Sequence, residues 1–183
     1  MLLASGIPFT IVVPNIEEKQ HENEKAIDYV QRNSREKALA ISKNYLSGEF
    51  ILSADTIVVT KDDHVLEKPL DAIQAKSMLE KLSGNQHLVL TGYSLYQNKI
   101  EIITRAVQTF VTFRHISSRE IEAYIKTGEP FDKSGGYGIQ GRAMGFIESI
   151  DGSYTNVMGL PLSQVLADIQ NFSDFETFTE IKE

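Results

Sequence analysis

The pattern of hydrophobic and polar positions along the chain predicts six strands. Apolar or alternating runs occupy residues 7–13, 50–60, 87–96 and 101–113, and shorter runs occupy residues 65–66 and 144–150. The run at residues 50–60 (FILSADTIVVT) is apolar nearly throughout, which is typical of a strand buried on both faces. The runs at residues 87–96 and 101–113 predict a hairpin that turns at Asn98 and Lys99.

Helical periodicity predicts four helices, at residues 24–46, 71–82, 117–126 and 161–172. Asp71 stands where the second helix needs an N-cap, and Ser117 and Glu120 have the spacing of a capping box. Because strands and helices alternate along the chain, the pattern predicts an α/β or a mixed α+β fold.

The composition fits one globular domain and excludes several classes of site. The chain has 183 residues, of which 42% are hydrophobic and 23% are charged. It has no cysteine, which excludes disulfides, thiolate metal sites and a cysteine nucleophile. No apolar run reaches the ~20 residues that span a bilayer, and no leader peptide opens the chain. We therefore expect a cytoplasmic protein that has no membrane partner.

The net charge of the chain is -7, which argues against nucleic acid as a partner. Proteins that bind nucleic acid broadly need a basic face to neutralise its phosphates. A small polyanion such as a nucleotide stays compatible with this charge. Such a ligand would need local lysines and a divalent cation.

Residues 131–162 form a glycine-rich stretch that contains seven of the chain's twelve glycines. Glycine costs backbone entropy, so this density predicts turns with positive φ or a close approach of the backbone to a ligand. A loop that binds nothing is the plainer alternative. The side chains in this stretch that could bind charge or read a polar edge are Asp132, Lys133, Gln140, Arg142, Tyr154 and Asn156.

The glycine-rich stretch contains G-x-G-x-x-G at Gly136, Gly138 and Gly141, but its context excludes a dinucleotide-binding fingerprint. That fingerprint follows a strand and opens a helix. Here a predicted helix precedes the glycines and a predicted strand follows them.

The remaining candidates for chemistry are a carboxylate and several lysines. Asp55 lies inside the strongest predicted strand, where a charge without partners is costly to bury. It therefore either caps a turn or faces a cleft, where it would hold a metal or a water molecule. No G-x-S-x-G motif occurs, and the four histidines show no metal-ligand spacing. A carboxylate together with Lys37, Lys68 and Lys133 suits a substrate that carries phosphates.

Five motifs in order along the chain carry a resemblance to a known family. They are S-A-D-T at residues 53–56, L-E-K-P at 66–69, S-G-x-x-H-x-V-x-T-G at 83–92, Y-I-x-T-G-E-P-x-D-K-S-G-x-Y-G-I-Q-G at 124–141 and Y-x-N-V-M-G-L-P-L at 154–162. In these motifs the chain resembles the Maf family of nucleoside triphosphate pyrophosphatases, up to about Phe172. The resemblance implies one α/β domain at residues 1–172, with a mixed, twisted sheet flanked by helices as in inosine triphosphatases, and an acidic tail at residues 173–183.

The resemblance also implies an activity and the residues that perform it. The activity is hydrolysis of a nucleoside triphosphate between its α- and β-phosphates, with Mg²⁺ or Mn²⁺ as the cofactor. Asp55 is implied as the proton acceptor and is a candidate metal ligand. Lys37 and Lys68 are implied near the phosphates, and Lys133 in the glycine-rich stretch joins them as a third candidate lysine.

Two further positions are implied to select the base of the nucleotide. They are Thr56, which follows Asp55, and Gln140 in Y-G-I-Q-G. The sequence around Gln140 resembles the branch of the family that prefers dTTP and UTP. An amide can pair with the O4 and N3 edge of a pyrimidine, because it offers both an acceptor and donors.

One implied segment is absent from the chain. The family pattern opens with a strand and an S-x-S-P-R-R segment that carries phosphate-binding arginines, whereas this chain begins at Met1 inside the helix that follows. Three interpretations stay open: a start codon assigned too far downstream, which we favour, a shortened chain, or a protein that has lost activity.

Two alternatives to an enzyme stay open, and the missing arginines strengthen the first of them, which the family resemblance implies. The first is a nucleotide-binding regulatory protein linked to cell division, with little or no turnover. The second is an α/β domain whose glycines only make turns. The family resemblance further implies a possible homodimer.

Overall fold

The computed structural model describes residues 1–43 and 49–172. A five-stranded sheet forms the centre of the domain, in the order β2-β1-β3-β4-β5. The strands are β1 (Phe50–Val59), β2 (Val65–Leu66), β3 (Gln86–Gln97), β4 (Ile100–Phe113) and β5 (Ile147–Asp151). The helices are α1 (Ala26–Ser42), α2 (Ala72–Leu82), α3 (Ser118–Ile125), α4 (Tyr154–Val157) and α5 (Leu162–Phe172). The predicted α/β class is confirmed.

Every strand pair among the described residues is antiparallel, so the sheet is not mixed in this part of the chain. Short turns connect β1 to β2 and β3 to β4, and a chain that reverses within a few residues can only return antiparallel. Asn98 and Lys99 turn the β3–β4 hairpin with φ of 51° and 66°, as the sequence predicted for this position.

The strand predicted at residues 7–13 is wrong. This segment forms no strand and pairs with no described strand, and the side chains of Ile11 and Val13 are 80% and 85% exposed. Apolar residues in sequence predict that a strand is favourable, but a strand also needs a neighbour to share its backbone hydrogen bonds. The sheet as described offers none at this segment.

The N-terminal caps that the sequence predicts for α2 and α3 are both formed. The Asp71 side chain accepts a hydrogen bond from the backbone of Gln74, and Ser117 and Glu120 form both bonds of a capping box. Residues 44–46 of the first predicted helix and the predicted tail at residues 173–183 lie outside the described residues. None of the described helices has both the length and the apolar character that a membrane span requires.

The two faces of the sheet are covered by different helices. On one face α1 packs against β1 and β3, and the buried contacts include Val30 and Ile57. On the other face α2, α3 and α5 bury the alternate side chains of the same strands, such as Val58 and Tyr93. Because side chains alternate along a strand, neighbouring residues of β1 reach opposite faces. This alternation decides how the candidate site is divided.

Candidate active site

A cleft of about 750 Å³ lies along the outer edge of β1. The strand β2 pairs with β1 only at Val58 and Val59, so residues 50–57 of β1 have no partner among the described strands on this side. Five consecutive residues of β1, from Ala54 to Val58, line the cleft. The glycine-rich stretch forms the opposite wall.

All of the predicted site residues line this one cleft. They are Lys37, Asp55, Thr56, Lys68, Lys133 and Gln140. They come from α1, β1, the segment after β2 and the glycine-rich stretch. Three other polar residues of the glycine-rich stretch, Arg142, Tyr154 and Asn156, are not part of the lining.

Asp55 and Lys37 form an ion pair on the α1 face of the sheet. The Lys37 Nζ atom lies 2.6 Å from Asp55 Oδ1 and 2.8 Å from Glu18 Oε2. Asp55 is only 7% exposed, so it faces the cleft from a mostly buried position rather than capping a turn. A carboxylate in such a place stays charged at low cost only if it is paired, as it is here.

The environment of Lys37 keeps its ammonium group protonated. Burial opposes the charge, but the carboxylates of Asp55 and Glu18 outweigh this effect and raise the pKa of Lys37 above its usual value. A lysine that stays cationic near a carboxylate provides a fixed positive charge, which suits the binding of phosphate.

Asn33 is a contact of Asp55 that the sequence did not reveal. Its Nδ2 atom donates a hydrogen bond to Asp55 Oδ2 at 2.9 Å, and its side chain is fully buried. Tyr29, Asn33 and Lys37 are four residues apart and therefore share one face of α1. Asn33 lies four residues before Lys37, and this helical spacing is the signal that could have identified it.

Tyr29 extends this row of side chains toward the segment after β2. Its hydroxyl donates a hydrogen bond to Glu67 Oε1 at 3.1 Å. Burial, followed by the nearby carboxylates, raises the pKa of Tyr29 to about 12, so the hydroxyl is a donor at neutral pH. The bond ties α1 to the residue that precedes Lys68.

Thr56 lies on the opposite face of the sheet from Asp55. Its Oγ1 atom is 2.9 Å from Thr91 Oγ1, and the Thr91 hydroxyl donates a hydrogen bond to the backbone oxygen of Asn156 at 3.1 Å. Thr91 is fully buried and lies directly opposite Thr56 on β3. The cleft thus has an ionic side at Asp55 and a hydroxyl-lined side at Thr56.

Hydrogen bonds to β1 and to Glu67 hold the glycine-rich stretch against the cleft. Ser134 Oγ donates to the backbone oxygen of Thr56 at 2.9 Å, and the Gly135 backbone nitrogen donates to the Glu67 oxygen at 3.1 Å. Gly135 has a φ of 69°, and a Cβ atom there would lie 3.0 Å from the Val58 side chain. The positive φ predicted from the glycine content is therefore confirmed at this residue.

Lys133 and Gln140 are placed on the same wall. Lys133 Nζ lies 2.7 Å from Asp132 Oδ1, and this bond lowers the pKa of Asp132. Gln140 is exposed, and no described residue forms a hydrogen bond with its side chain. Both side chains can therefore turn toward a ligand in the cleft.

The glycines of G-x-G-x-x-G lack the strand and the helix that flank a dinucleotide-binding fingerprint. Gly136 ends a short 3-10 segment, Ser134–Gly136, and Gly141 precedes another, Arg142–Phe146. No described strand leads into these glycines and no α-helix begins at the last of them.

The oxygen atoms lining the cleft suit a hard divalent cation only in part. The carboxylates of Asp55 and Glu18 both bind Lys37, and Glu67 and Asp132 also line the cleft. No group of three or more potential metal-binding side chains occurs within the described residues. Mg²⁺ commonly binds through one or two carboxylates together with substrate phosphates, and Asp55 fits that kind of site.

The chain was compared with known proteins by sequence. The sequence model of the family described as Maf-like protein matches residues 1–172. A protein of Vibrio cholerae serotype O1 named dTTP/UTP pyrophosphatase is 49% identical over 162 residues, which are 88% of this chain and 86% of that protein. A protein of Geobacter sp. with the same name is 44% identical over 167 residues, which are 91% of this chain and 86% of that protein.

A protein of Salmonella typhimurium, also named dTTP/UTP pyrophosphatase, is 44% identical over 173 residues, which are 94% of this chain and 87% of that protein. The match of the family model therefore covers the strands, the helices and every candidate residue of the cleft. The chain belongs to the family of Maf-like proteins.

Proposed function

We propose that this protein is a nucleoside triphosphate pyrophosphatase, a hydrolase of phosphoric anhydride bonds that converts dTTP and UTP to the monophosphate and diphosphate. The observation that carries the proposal is the cleft at the edge of β1. It combines the paired Asp55 and Lys37 on one face of β1 with Thr56 on the other, and Gln140 lines the same cleft. Relatives that are 41–49% identical to this chain bear the name of this activity.

The nucleotide lies across the edge of β1 in this proposal. Its triphosphate occupies the side of Asp55, and Lys37, Lys68 and Lys133 of the lining turn toward it and neutralise the phosphate charge. Its base occupies the side of Thr56 and Gln140. An edge strand can separate two such subsites because its consecutive side chains reach opposite faces.

Asp55 acts as the general base of the reaction. It takes a proton from a water molecule whose oxygen forms a bond to the α-phosphorus, while the bond between this phosphorus and the bridging oxygen breaks and diphosphate leaves. Lys37 and Asn33 hold the two carboxylate oxygens of Asp55, which limits its rotation. Restricting the base in this way keeps it aligned with the water.

A divalent cation, Mg²⁺ or Mn²⁺, would be held by Asp55 together with phosphate oxygens of the substrate. When bound, it supplies Lewis-acid neutralisation of the charge that develops on the phosphates. The protein's own lysines supply the rest of the positive charge on the lining.

The test is the release of diphosphate from dTTP, UTP, CTP, dGTP and 7-methylguanosine triphosphate, with Mg²⁺ or Mn²⁺. We expect dTTP and UTP to be the best substrates. The same assay on a chain that carries the family's S-x-S-P-R-R segment ahead of Met1 measures what those arginines add. If neither chain releases diphosphate from any nucleotide, the proposal is wrong. If dTTP then still raises the melting temperature, a regulatory nucleotide-binding protein is the better conclusion.

Asp55→Asn provides the matched test of the general base. We expect this variant to keep its circular dichroism spectrum and to lose at least about a thousandfold in kcat, because an amide cannot accept the proton. Asp151→Asn, at the exposed end of β5, is the control and should keep full activity. An unfolded Asp55→Asn variant would indicate that Asp55 is structural.

The proposal includes the setting in which the enzyme works. We place it in the cytoplasm, acting on free nucleotides rather than on nucleic acid, as a homodimer. The net charge of -7 supports the exclusion of nucleic acid. Light scattering on the purified protein tests the homodimer, and a mass of one chain would contradict it.

A further inference from the structure

Thr91 determines which partner the hydroxyl of Thr56 can bind. A hydroxyl group has one proton, and the Thr91 hydroxyl donates its proton to the backbone oxygen of Asn156, which can only accept. The hydrogen bond between Thr56 Oγ1 and Thr91 Oγ1 must therefore be donated by Thr56. The proton of Thr56 is directed into the sheet, and only its lone pairs remain for a ligand.

Thr56 Oγ1 faces open space in the cleft. Gly159 lies opposite, and a Cβ atom on Gly159 would be 3.6 Å from Thr56 Oγ1. Both residues line the cleft, and Thr56 is half-buried. The space that a side chain at position 159 would occupy is therefore available to the edge of a base.

The backbone oxygen of Asn156, which accepts the hydrogen bond from Thr91, is held firmly. Asn156 is fully buried, and its Nδ2 atom donates to the backbone oxygens of Val89 and Val107 and to Thr109 Oγ1 at 3.0–3.3 Å. Its backbone nitrogen also binds Ser153 Oγ at 3.2 Å. These bonds attach α4 to β3 and β4, so the carbonyl group cannot turn away from Thr91.

Gln140 cannot provide the same discrimination. No described residue orients its side-chain amide, and an amide that is free to rotate can present either its oxygen or its nitrogen to a base. Thr56, by contrast, has a fixed polarity. A pocket rejects a wrong partner best when its polar group cannot adapt.

We propose that Thr91 is a positioning residue that makes Thr56 a fixed acceptor for the N3–H group of uracil or thymine and so disfavours cytosine. Uracil and thymine carry a proton on N3, whereas N3 of cytosine is an acceptor. Two acceptors that face each other leave both without a proton, and this mismatch weakens the binding of CTP. The inference rests on the proposed function, because it assumes that the base occupies the side of Thr56.

The test compares UTP with CTP, which share their ribose and triphosphate. Thr91→Val replaces the inner hydroxyl with a methyl group of similar size, so the Thr56 hydroxyl is free to donate. We expect the ratio of kcat/KM for UTP to that for CTP to fall by about tenfold. Thr91→Ser keeps a hydroxyl and should retain the wild-type ratio. Thr104→Val, on β4 and bound to Ser94, is the matched control and should also retain it.

A double-variant cycle separates positioning from a general effect on folding. In a Thr56→Val background the further change Thr91→Val should leave the ratio unchanged, because Thr91 acts through Thr56. The ratio is measured on one protein preparation, so a partly unfolded fraction cancels. If Thr91→Val does not fold, Thr91→Ala takes its place in the same comparison.

The outcome can be distinguished from a failure of the proposed function. Dissociation constants of UTP and CTP, measured by calorimetry with the Asp55→Asn protein with and without Thr91→Val, give the ratio without turnover. A wild-type ratio in folded Thr91→Val protein overturns the role of Thr91, whether or not the enzyme is active. Absence of diphosphate release together with the expected change in the binding ratio overturns only the pyrophosphatase.

Discussion

At the scale of single residues, Asp55 is held by two neighbours, and the sequence predicted only one of them as a site residue. Lys37, which is predicted to lie near the phosphates, also forms an ion pair with Asp55 at 2.6 Å. Asn33 binds the other carboxylate oxygen and was not predicted. The pair and the hydrogen bond together let a mostly buried carboxylate remain charged beside the cleft.

Replacement of Asn33 by leucine should slow catalysis without unfolding the protein. Leucine has the same number of side-chain heavy atoms in the same branched arrangement, and Asn33 Oδ1 has no hydrogen-bond partner among the described residues that would be lost. Without the bond to Oδ2 the Asp55 carboxylate can rotate, so we expect kcat for dTTP to fall by about tenfold while KM changes little. Steady-state kinetics and urea unfolding check this.

Ser34→Ala is the control for the Asn33 variant. Ser34 is also buried on α1, but its hydroxyl binds Ser94 rather than Asp55. It should leave kcat unchanged. Equal losses in the two variants would attribute the effect to the packing of α1 and not to Asp55.

Replacement of Gln140 by glutamate should change the choice of base. A carboxylate only accepts hydrogen bonds, so it cannot donate to O4 of uracil or thymine, whereas guanine offers N1–H and N2–H donors. We expect kcat/KM to fall by about tenfold or more for dTTP and UTP and less for dGTP. Equal losses for all three nucleotides would contradict a role of Gln140 in reading the base.

At residue scale the motifs led to Asp55, Thr56, Lys68, Lys133 and Gln140 in the cleft, whereas Lys37 lies outside the five motifs. They did not lead to Asn33 or Thr91 as partners. These contacts join residues that are 22 and 35 positions apart in the chain. Local spacing carries no information on such pairs until the strands and helices are packed.

At the scale of elements, the packing of α1 on the sheet positions the ionic half of the site. Gly92 on β3 lies directly opposite Asp55 on β1. A Cβ atom on Gly92 would be 2.2 Å from the backbone oxygen of Val30, which is too close for any side chain. The absence of a side chain at this one residue lets α1 approach the sheet closely enough for Asn33 and Lys37 to reach Asp55.

Gly92→Ala should therefore damage both stability and activity. The added methyl group meets the backbone of α1, which cannot move away without separating the helix from the sheet. We expect a loss of about 3 kcal/mol in the free energy of unfolding, measured with urea, together with a fall in kcat. Gly145→Ala is the control, since nothing lies within 4 Å of a Cβ atom there.

The outcome for the Gly92 variant would separate two explanations. If Gly92→Ala kept wild-type stability, the helix would have to shift at no cost, and the close contact would not be what positions α1. If stability fell while the kcat of the folded fraction was unchanged, the position of Lys37 and Asn33 would not depend on the contact.

Elements with strong local signals were predicted well, whereas the strand predicted at residues 7–13 and the start of β5 were not. The caps at Asp71 and Ser117 and the turn at Asn98 and Lys99 use only neighbouring residues, so the sequence reveals them. The strand predicted at residues 144–150 begins later, at Ile147, after a 3-10 segment, Arg142–Phe146. Its first residues are apolar in part, but only residues from Ile147 on pair with β4.

At the scale of the whole molecule, the core on the α2 and α3 face contains a buried histidine. His87 is 2% exposed, lies against the rings of Phe113 and Tyr137, and its Nε2 atom is 2.7 Å from the Tyr137 hydroxyl. Burial lowers the pKa of His87 from 6.5 to about 4. The folded state therefore keeps this ring neutral in conditions where an unfolded chain would protonate it.

This histidine makes the fold sensitive to acid. As the pH falls below 6.5 the unfolded chain binds a proton that the folded protein does not bind until about pH 4, so the free energy of unfolding decreases across this range. The contribution reaches about 3 kcal/mol at the lower end. Urea unfolding at pH 7, 5.5 and 4.5 should show the decrease, and His87→Gln should show less of it.

His64→Gln is the matched control for this pH dependence. His64 is exposed in the turn between β1 and β2, so its replacement should leave the pH dependence of the wild-type protein unchanged. Parallel stability curves for the wild type and His87→Gln would show that His87 is not the source of the acid sensitivity.

The sequence by itself determined the class of the fold, the hairpin, two helix caps and the candidate residues that meet in the cleft. These features depend on periodicity, on turn chemistry and on motifs that are continuous in the chain. Only the tertiary structure decided that the described sheet is antiparallel, that residues 7–13 do not join it, and that Asp55 and Thr56 reach opposite faces of one edge strand. It also decided the direction of the Thr56 hydroxyl. The reason is that strand pairing and proton direction depend on partners that are distant in sequence, and the pattern along one segment cannot specify them.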